Sequence, residues 1–138
     1  MLIKTNFAGA TRLGESQEDY LEAIFVLSNE QHPVRVKDIA RYLAVSRPSV
    51  VNAITALSTK GLVKHEYYGG VELTPRGKGL ADAIYRRHRL LEYFLCSVLG
   101  VSKHTAFNDA CRLEHTLSRE TLIRLQQWLE SQRRKKGI

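Results

Sequence analysis

Apolar side chains recur at helical spacing along most of this chain and alternate at strand spacing in one short stretch only. Residues 17–29 place Tyr20, Leu21, Ile24, Phe25 and Leu27 three and four apart, which predicts an amphipathic helix with Ser16 as its cap and Glu18 and Asp19 in its first turn. Gln31-His32-Pro33 ends it, and a short second helix is expected over Val36–Leu43. A third helix follows Ser46, with Pro48 in its first turn, where a missing N–H costs nothing, and Gly61 as its stop. Two β-prone runs, Leu62–Tyr67 and Val71–Thr74, flank Gly69-Gly70 and predict a hairpin. Thr74-Pro75 opens a long helix expected to reach Leu99, with Gly100 ending it. A fifth helix is expected over about Lys103–Leu117, and Ser118 caps a sixth that includes Leu122, Leu125 and Trp128.

This order predicts a mainly α fold. Residues 1–74 are expected to form a winged helix-turn-helix, and residues 75–138 an α-helical domain. In a winged helix the second helix of the tight pair enters the major groove. Its leading residues are Ser46, Arg47, Pro48, Ser49 and Asn52. Asn and Arg can each make two hydrogen bonds to one base edge, adenine and guanine respectively. Val50, Ile54 and Leu57 fall on the other face, set to pack against Ile39 and Leu43. The plainer reading of Ser-Arg-Pro-Ser is a capped helix start and nothing more. Tyr67 and Tyr68 at the wing tip are read as packing residues.

Charge sharpens the picture. The net charge is +7, and residues 35–87 hold ten Lys/Arg against four Asp/Glu, whereas residues 1–34 are acidic. A basic middle segment suits a polyanion. Lys37, Arg41, Lys60, Lys64 and Arg76 are candidates for phosphate contacts, which position a protein without reading sequence. The basic tail, residues 133–138 with Arg133, Arg134, Lys135 and Lys136, is expected to be disordered. At 43% hydrophobic and 25% charged residues the composition is that of an ordinary soluble protein. No apolar run approaches the ~20 residues that span a bilayer. A cytoplasmic location with no membrane partner is expected, and the two cysteines, Cys96 and Cys111, need form no disulfide.

Three places carry metal-ligand chemistry. Asp19 and Glu22 stand three apart on one helix face, Cys111, Glu114 and His115 share another, and His88 lies on the long helix with Glu92 one turn on. Carboxylate, imidazole and thiolate at such spacings are what a transition-metal site uses. Each fragment has a plainer reading beside it: helix N-terminal charges, a solvated face beside Arg86 and Arg87, a small core cysteine. The apolar stretch Leu90, Leu91, Phe94, Leu95 and Val98, with Trp128, exceeds the needs of a small reading head, and part of it is assigned to a homodimer interface.

The chain resembles the diphtheria-toxin-repressor family of metal-dependent regulators, and in its short length its manganese-transport-regulator branch. The resemblance covers roughly residues 16–130. It rests on Glu18-Asp19-Tyr20-Leu21-Glu22-Ala23-Ile24, Ser46-Arg47-Pro48-Ser49-Val50, Leu73-Thr74-Pro75-Arg76-Gly77, Arg87-His88-Arg89-Leu90-Leu91-Glu92 and Asn108-Asp109-Ala110-Cys111-Arg112-Leu113-Glu114-His115. It implies a repressor of metal homeostasis that binds operator DNA, with residues 1–74 as its winged-helix DNA-binding domain and residues 75–138 as its α-helical metal-binding and dimerisation domain. It also implies ligands at Asp19, Glu22, His88, Glu114 and His115, with Cys111 at a sixth position. The manganese branch usually has Glu where this chain has Cys111; the iron branch has Cys there but Met at the place of Asp19. The chain is a hybrid, and Fe2+ or Mn2+, one or two ions per subunit, is the expected activator. Metal ligands from the first, long and fifth helices would tie the reading head to the dimerisation part.

Two other functions compete with this one. A metal-independent winged-helix regulator sensing an organic ligand needs none of the carboxylate–thiolate set. A metallohydrolase would need a general base and a substrate loop, and neither is evident, so no enzyme is expected. His32, His65 and His104 are isolated and read as surface residues.

Overall fold

The computed structural model describes residues 13–30, 33–66 and 69–135. Tyr67, Tyr68, His32 and the end of the basic tail lie outside these. Chain contacts divide into two units, Phe7–Asp82 and Ala83 onward.

The first unit holds α1 (Glu15–Ser28), α2 (Val36–Leu43), α3 (Arg47–Thr59), β1 (Val63–His65), β2 (Val71–Leu73) and the opening of α4 (Pro75–Tyr93). α1 begins two residues earlier than the sequence predicts. Its cap is Gly14 without a side-chain bond, because Glu18 N–H closes the first turn on the Gly14 carbonyl at 3.0 Å, leaving Ser16 inside the helix. At α2 the Asp38 carboxylate reaches back to accept from Arg35 N–H at 3.1 Å. The turn to α3 uses Ala44 in the left-handed region, φ 57°, a position that costs an alanine about 1 kcal/mol. Ser46 caps α3, accepting from Ser49 N–H at 3.2 Å. Gly61, at φ 75°, follows its last turn.

The wing is antiparallel, with Val63 opposite Leu73 and His65 opposite Val71. The sequence reading missed a further pairing: Val71 N–H donates to the Val34 carbonyl at 2.7 Å, adding an isolated bridge ahead of α2. Gly70 permits it, since a Cβ there would fall 2.8 Å from the Val34 oxygen. Leu21, Ile24, Ile39, Val50, Ile54, Leu57, Leu62 and Val71 are buried and form the core, as the period of α3 predicts; Leu43 is only half-buried.

The second unit holds the rest of α4, a π-helical segment (Phe94–Val98), α5 (Lys103–Leu113) and α6 (Arg119–Lys135). The long helix does not run to Leu99 as α-helix. Leu99 N–H bonds the Phe94 carbonyl five residues back, at 3.1 Å, before Gly100 turns the chain at φ 77°. α5 stops at Leu113 and not at Leu117, because His115 and Thr116 N–H bond carbonyls three residues back and tighten the chain. Glu114 keeps helical dihedrals (φ −61°, ψ −21°), so it stays on the side of Cys111. Ser118 caps α6 through Thr121 N–H at 3.1 Å. Contrary to the expectation of a disordered tail, Arg133, Arg134 and Lys135 form the last turn of α6, where their positive charge meets the negative end of the helix. Leu91, Ala110 and Leu122 form this unit's core, with Leu90, Leu95, Leu113 and Leu125 packed on it. Val98, Leu99, Phe107 and Trp128 remain exposed. No helix among the described residues is long and apolar enough to cross a membrane.

Candidate metal centre and nucleic-acid interface

Arg47, Pro48, Ser49 and Asn52 all face solvent at the start of α3, while Val50, Ile54 and Leu57 hold the helix to its unit. Among the described residues no hydrogen bond engages the side chains of Arg47 or Asn52. Ser46 differs. Its hydroxyl accepts from Ser49 N–H and donates to Ser49 Oγ at 2.9 Å, so both of its roles serve the cap.

The candidate phosphate contacts separate in the same way. Lys37, Arg41 and Lys64 are exposed. Lys60 Nζ donates to Gln17 Oε1 at 2.8 Å, linking the end of α3 to α1. Arg76 Nη1 donates to the Lys60 carbonyl at 2.7 Å, placing a guanidinium on the negative end of α3. Sequence reasoning missed these structural duties, since nothing near Arg76 in sequence points to a carbonyl 16 residues back.

In the second unit the expected ligands converge. The Glu114 carboxylate is 1% exposed and lies between two imidazoles. Its Oε1 is 2.8 Å from His88 Nδ1 and its Oε2 is 3.5 Å from His115 Nε2. Cys111 Sγ is 3.8 Å from the same His88 nitrogen. His88 is 3% exposed, with Phe107 edge-on to its ring at a centroid distance of 4.8 Å. The other ring nitrogen, Nε2, lies 3.5 Å from Glu92 Oε1. Asp19 and Glu22 are half-buried on α1, in the first unit, on one face of that helix.

This donor set fits a divalent transition metal. A buried carboxylate is costly unless charge or hydrogen bonds compensate it. Here carboxylate, imidazole and thiol donors are gathered within hydrogen-bond range of one another, which an apolar core would not select. They mix hard oxygen with borderline nitrogen and soft sulfur.

Two family models match. Residues 12–71 match the iron dependent repressor N-terminal DNA binding domain, and residues 74–136 the iron dependent repressor metal binding and dimerisation domain. The HTH-type transcriptional regulator MntR of Bacillus subtilis is 37% identical over 127 residues, 89% of each chain. An uncharacterised HTH-type transcriptional regulator of Methanocaldococcus jannaschii is 36% identical over 119 residues, 86% of this chain and 95% of that one. The solved structure of a manganese-dependent transcriptional repressor in complex with manganese is 36% identical with a TM-score of 0.76. It is covered over 83% of this chain, which spans 52% of that longer one. The chain belongs to the iron-dependent repressor family, the diphtheria-toxin-repressor family of metal-dependent transcriptional regulators.

Proposed function

We propose that the chain is a cytoplasmic, homodimeric repressor of metal-ion homeostasis that binds operator DNA when it holds Fe2+ or Mn2+, one or two ions per subunit. The observation that carries this reading is the buried junction of His88, Cys111, Glu114 and His115, in a chain that also presents the solvent-facing start of α3. The ligand set is His88, Cys111, Glu114 and His115 together with Asp19 and Glu22. Glu92, facing the opposite nitrogen of His88, is an orienting carboxylate and not a ligand. The DNA contacts are Lys37, Arg47, Pro48, Ser49 and Asn52, with Ser46, Lys60 and Arg76 shaping the helix that presents them. The functional division falls at residues 74/75. The chain regulates transcription and is not an enzyme.

A bound divalent cation supplies the positive charge that lets several carboxylates and a thiolate share one place. Asp19 and Glu22 belong to α1, and α1 packs on both α2 and α3. Fixing these two carboxylates therefore fixes the helix beneath the reading helix. His88, Cys111, Glu114 and His115 belong to the segment matched as a dimerisation domain. Two reading helices of a dimer must be held about one DNA turn apart, ~34 Å, to meet two half-sites. Because both ligands act on one equilibrium, DNA tightens metal binding by the same factor.

The test is an anaerobic titration of apo-protein with Mn2+, Fe2+, Co2+ and Zn2+, followed by fluorescence anisotropy of duplex DNA. Mn2+ or Fe2+ is expected to induce binding that a chelator reverses. Activation by Zn2+ alone would overturn the choice of metal, and DNA binding indifferent to a chelator would overturn metal control.

A further inference from the structure

On the reading that α3 enters the major groove, we infer that Val51 selects bases by contacting the 5-methyl group of a thymine. The other aliphatic residues of α3 explain themselves: Val50, Ile54 and Leu57 are fully buried. Val51 is 42% exposed on the outer face. A β-branched apolar residue gains nothing there from helix propensity or from the core. Among the described residues of this unit, the large exposed apolar side chains are Tyr42, Val45 and Val51, and all three belong to the helix-turn-helix.

The neighbours of Val51 leave it an apolar task. Arg47 and Thr55 stand one turn before and after it on the same stripe, both exposed. The Thr55 hydroxyl donates to the Val51 carbonyl at 2.9 Å, so its proton is spent within the helix. The Ser46 hydroxyl is spent in the cap. Base-edge hydrogen bonding is thus left to Arg47, Asn52 and the remaining Ser49 proton. In the major groove the 5-methyl of thymine is the one apolar group on any base edge, and a branched aliphatic side chain is its match. With Arg47 suited to guanine and Asn52 to adenine, Val51 adds a thymine to the pattern that this helix demands.

The experiment uses the full chain with saturating Mn2+ and a duplex enriched by the protein from a random pool. Each thymine of the enriched half-site is replaced in turn by uracil, which removes the methyl and nothing else. The wild type is expected to lose about fourfold in affinity at one position per half-site, the effect of one buried methyl. Val51→Ser is expected to bind the thymine and uracil duplexes equally at that position, and Val51→Ile to keep the discrimination. Uracil sensitivity that persists unchanged in Val51→Ser, or that is absent at every position in the wild type, overturns the inference. Failure of the wild type to enrich any duplex strikes the DNA-binding reading itself and takes this inference with it.

Discussion

His88 Nδ1 and Glu114 Oε1 lie 2.8 Å apart, joined across 26 positions of the chain with both side chains buried. Burying a carboxylate against an imidazole is tolerable only while each answers the other. Removing Glu114 therefore leaves the His88 ring buried without its partner, and Glu114→Ala is expected to lose stability as well as metal binding. In Glu114→Ala the rise in melting temperature on adding Mn2+ or Fe2+ is expected to vanish. That rise corresponds in the wild type to about 2.7 kcal/mol at a hundredfold excess over the dissociation constant. Metal-dependent operator binding should vanish with it, while circular dichroism stays helical. Unchanged operator affinity would break the link between metal and DNA.

Glu92 faces the opposite nitrogen of the same ring, at 3.5 Å and one helical turn away. A carboxylate behind a ligating histidine fixes its orientation and tautomer, and losing one weakens metal binding by about 10- to 100-fold. Glu92→Gln is expected to lower Mn2+ affinity within that range while operator affinity at saturating metal stays near wild type. Isothermal titration and anisotropy separate the two effects. A loss of operator affinity that no excess of metal restores would give Glu92 a different role.

How far the sequence announces this structure depends on the range of the interaction. Ser46, Pro48 and Gly61 mark the ends of α3 because capping acts within one turn. The burial of Val50, Ile54 and Leu57 follows from the helical period. By contrast, the apolar spacing of Phe94–Val98 suits an α-helix as well as the π-helical turn that forms there. The Val34–Val71 bridge is a single pair and leaves no periodicity to detect. For the candidate site, spacing assigns Cys111 and Glu114 to one side of their helix. It says nothing about that side meeting His88, which depends on how α5 packs against α4. The attachment of Arg76 to the Lys60 carbonyl is hidden for the same reason.

Cys111 Sγ stands 3.8 Å from His88 Nδ1, where it adds a soft donor to a set otherwise of oxygen and nitrogen. Thiolate shifts preference toward Co2+, Ni2+ and Zn2+, and carboxylate toward Mn2+. Adding Co2+ to the wild type is expected to produce a thiolate-to-metal charge-transfer band that Cys111→Ser lacks. Cys111→Glu should raise the affinity for Mn2+ relative to Zn2+ by about tenfold in a competition titration, roughly 1.4 kcal/mol of discrimination. A Co2+ spectrum identical in wild type and Cys111→Ser would remove Cys111 from the ligands.

Lys37 and Arg76 carry the same charge but stand in different surroundings, and their substitutions should part accordingly. Lys37 is exposed at the start of α2. Lys37→Ala is expected to leave the melting temperature unchanged and to weaken binding to all duplexes alike. One lost phosphate contact should reduce the slope of log affinity against log salt by about 0.9. Arg76 instead donates to the Lys60 carbonyl at the end of α3, and Thr74 Oγ1 bonds the Gly61 carbonyl beside it at 2.8 Å. Arg76→Ala should cost about 1–2 kcal/mol of stability, the range for a charge-assisted bond at a helix terminus. Its effect on DNA would then come through the position of α3 and leave the salt slope near that of the wild type. A salt slope reduced as in Lys37→Ala, at unchanged stability, would instead return Arg76 to the phosphate contacts.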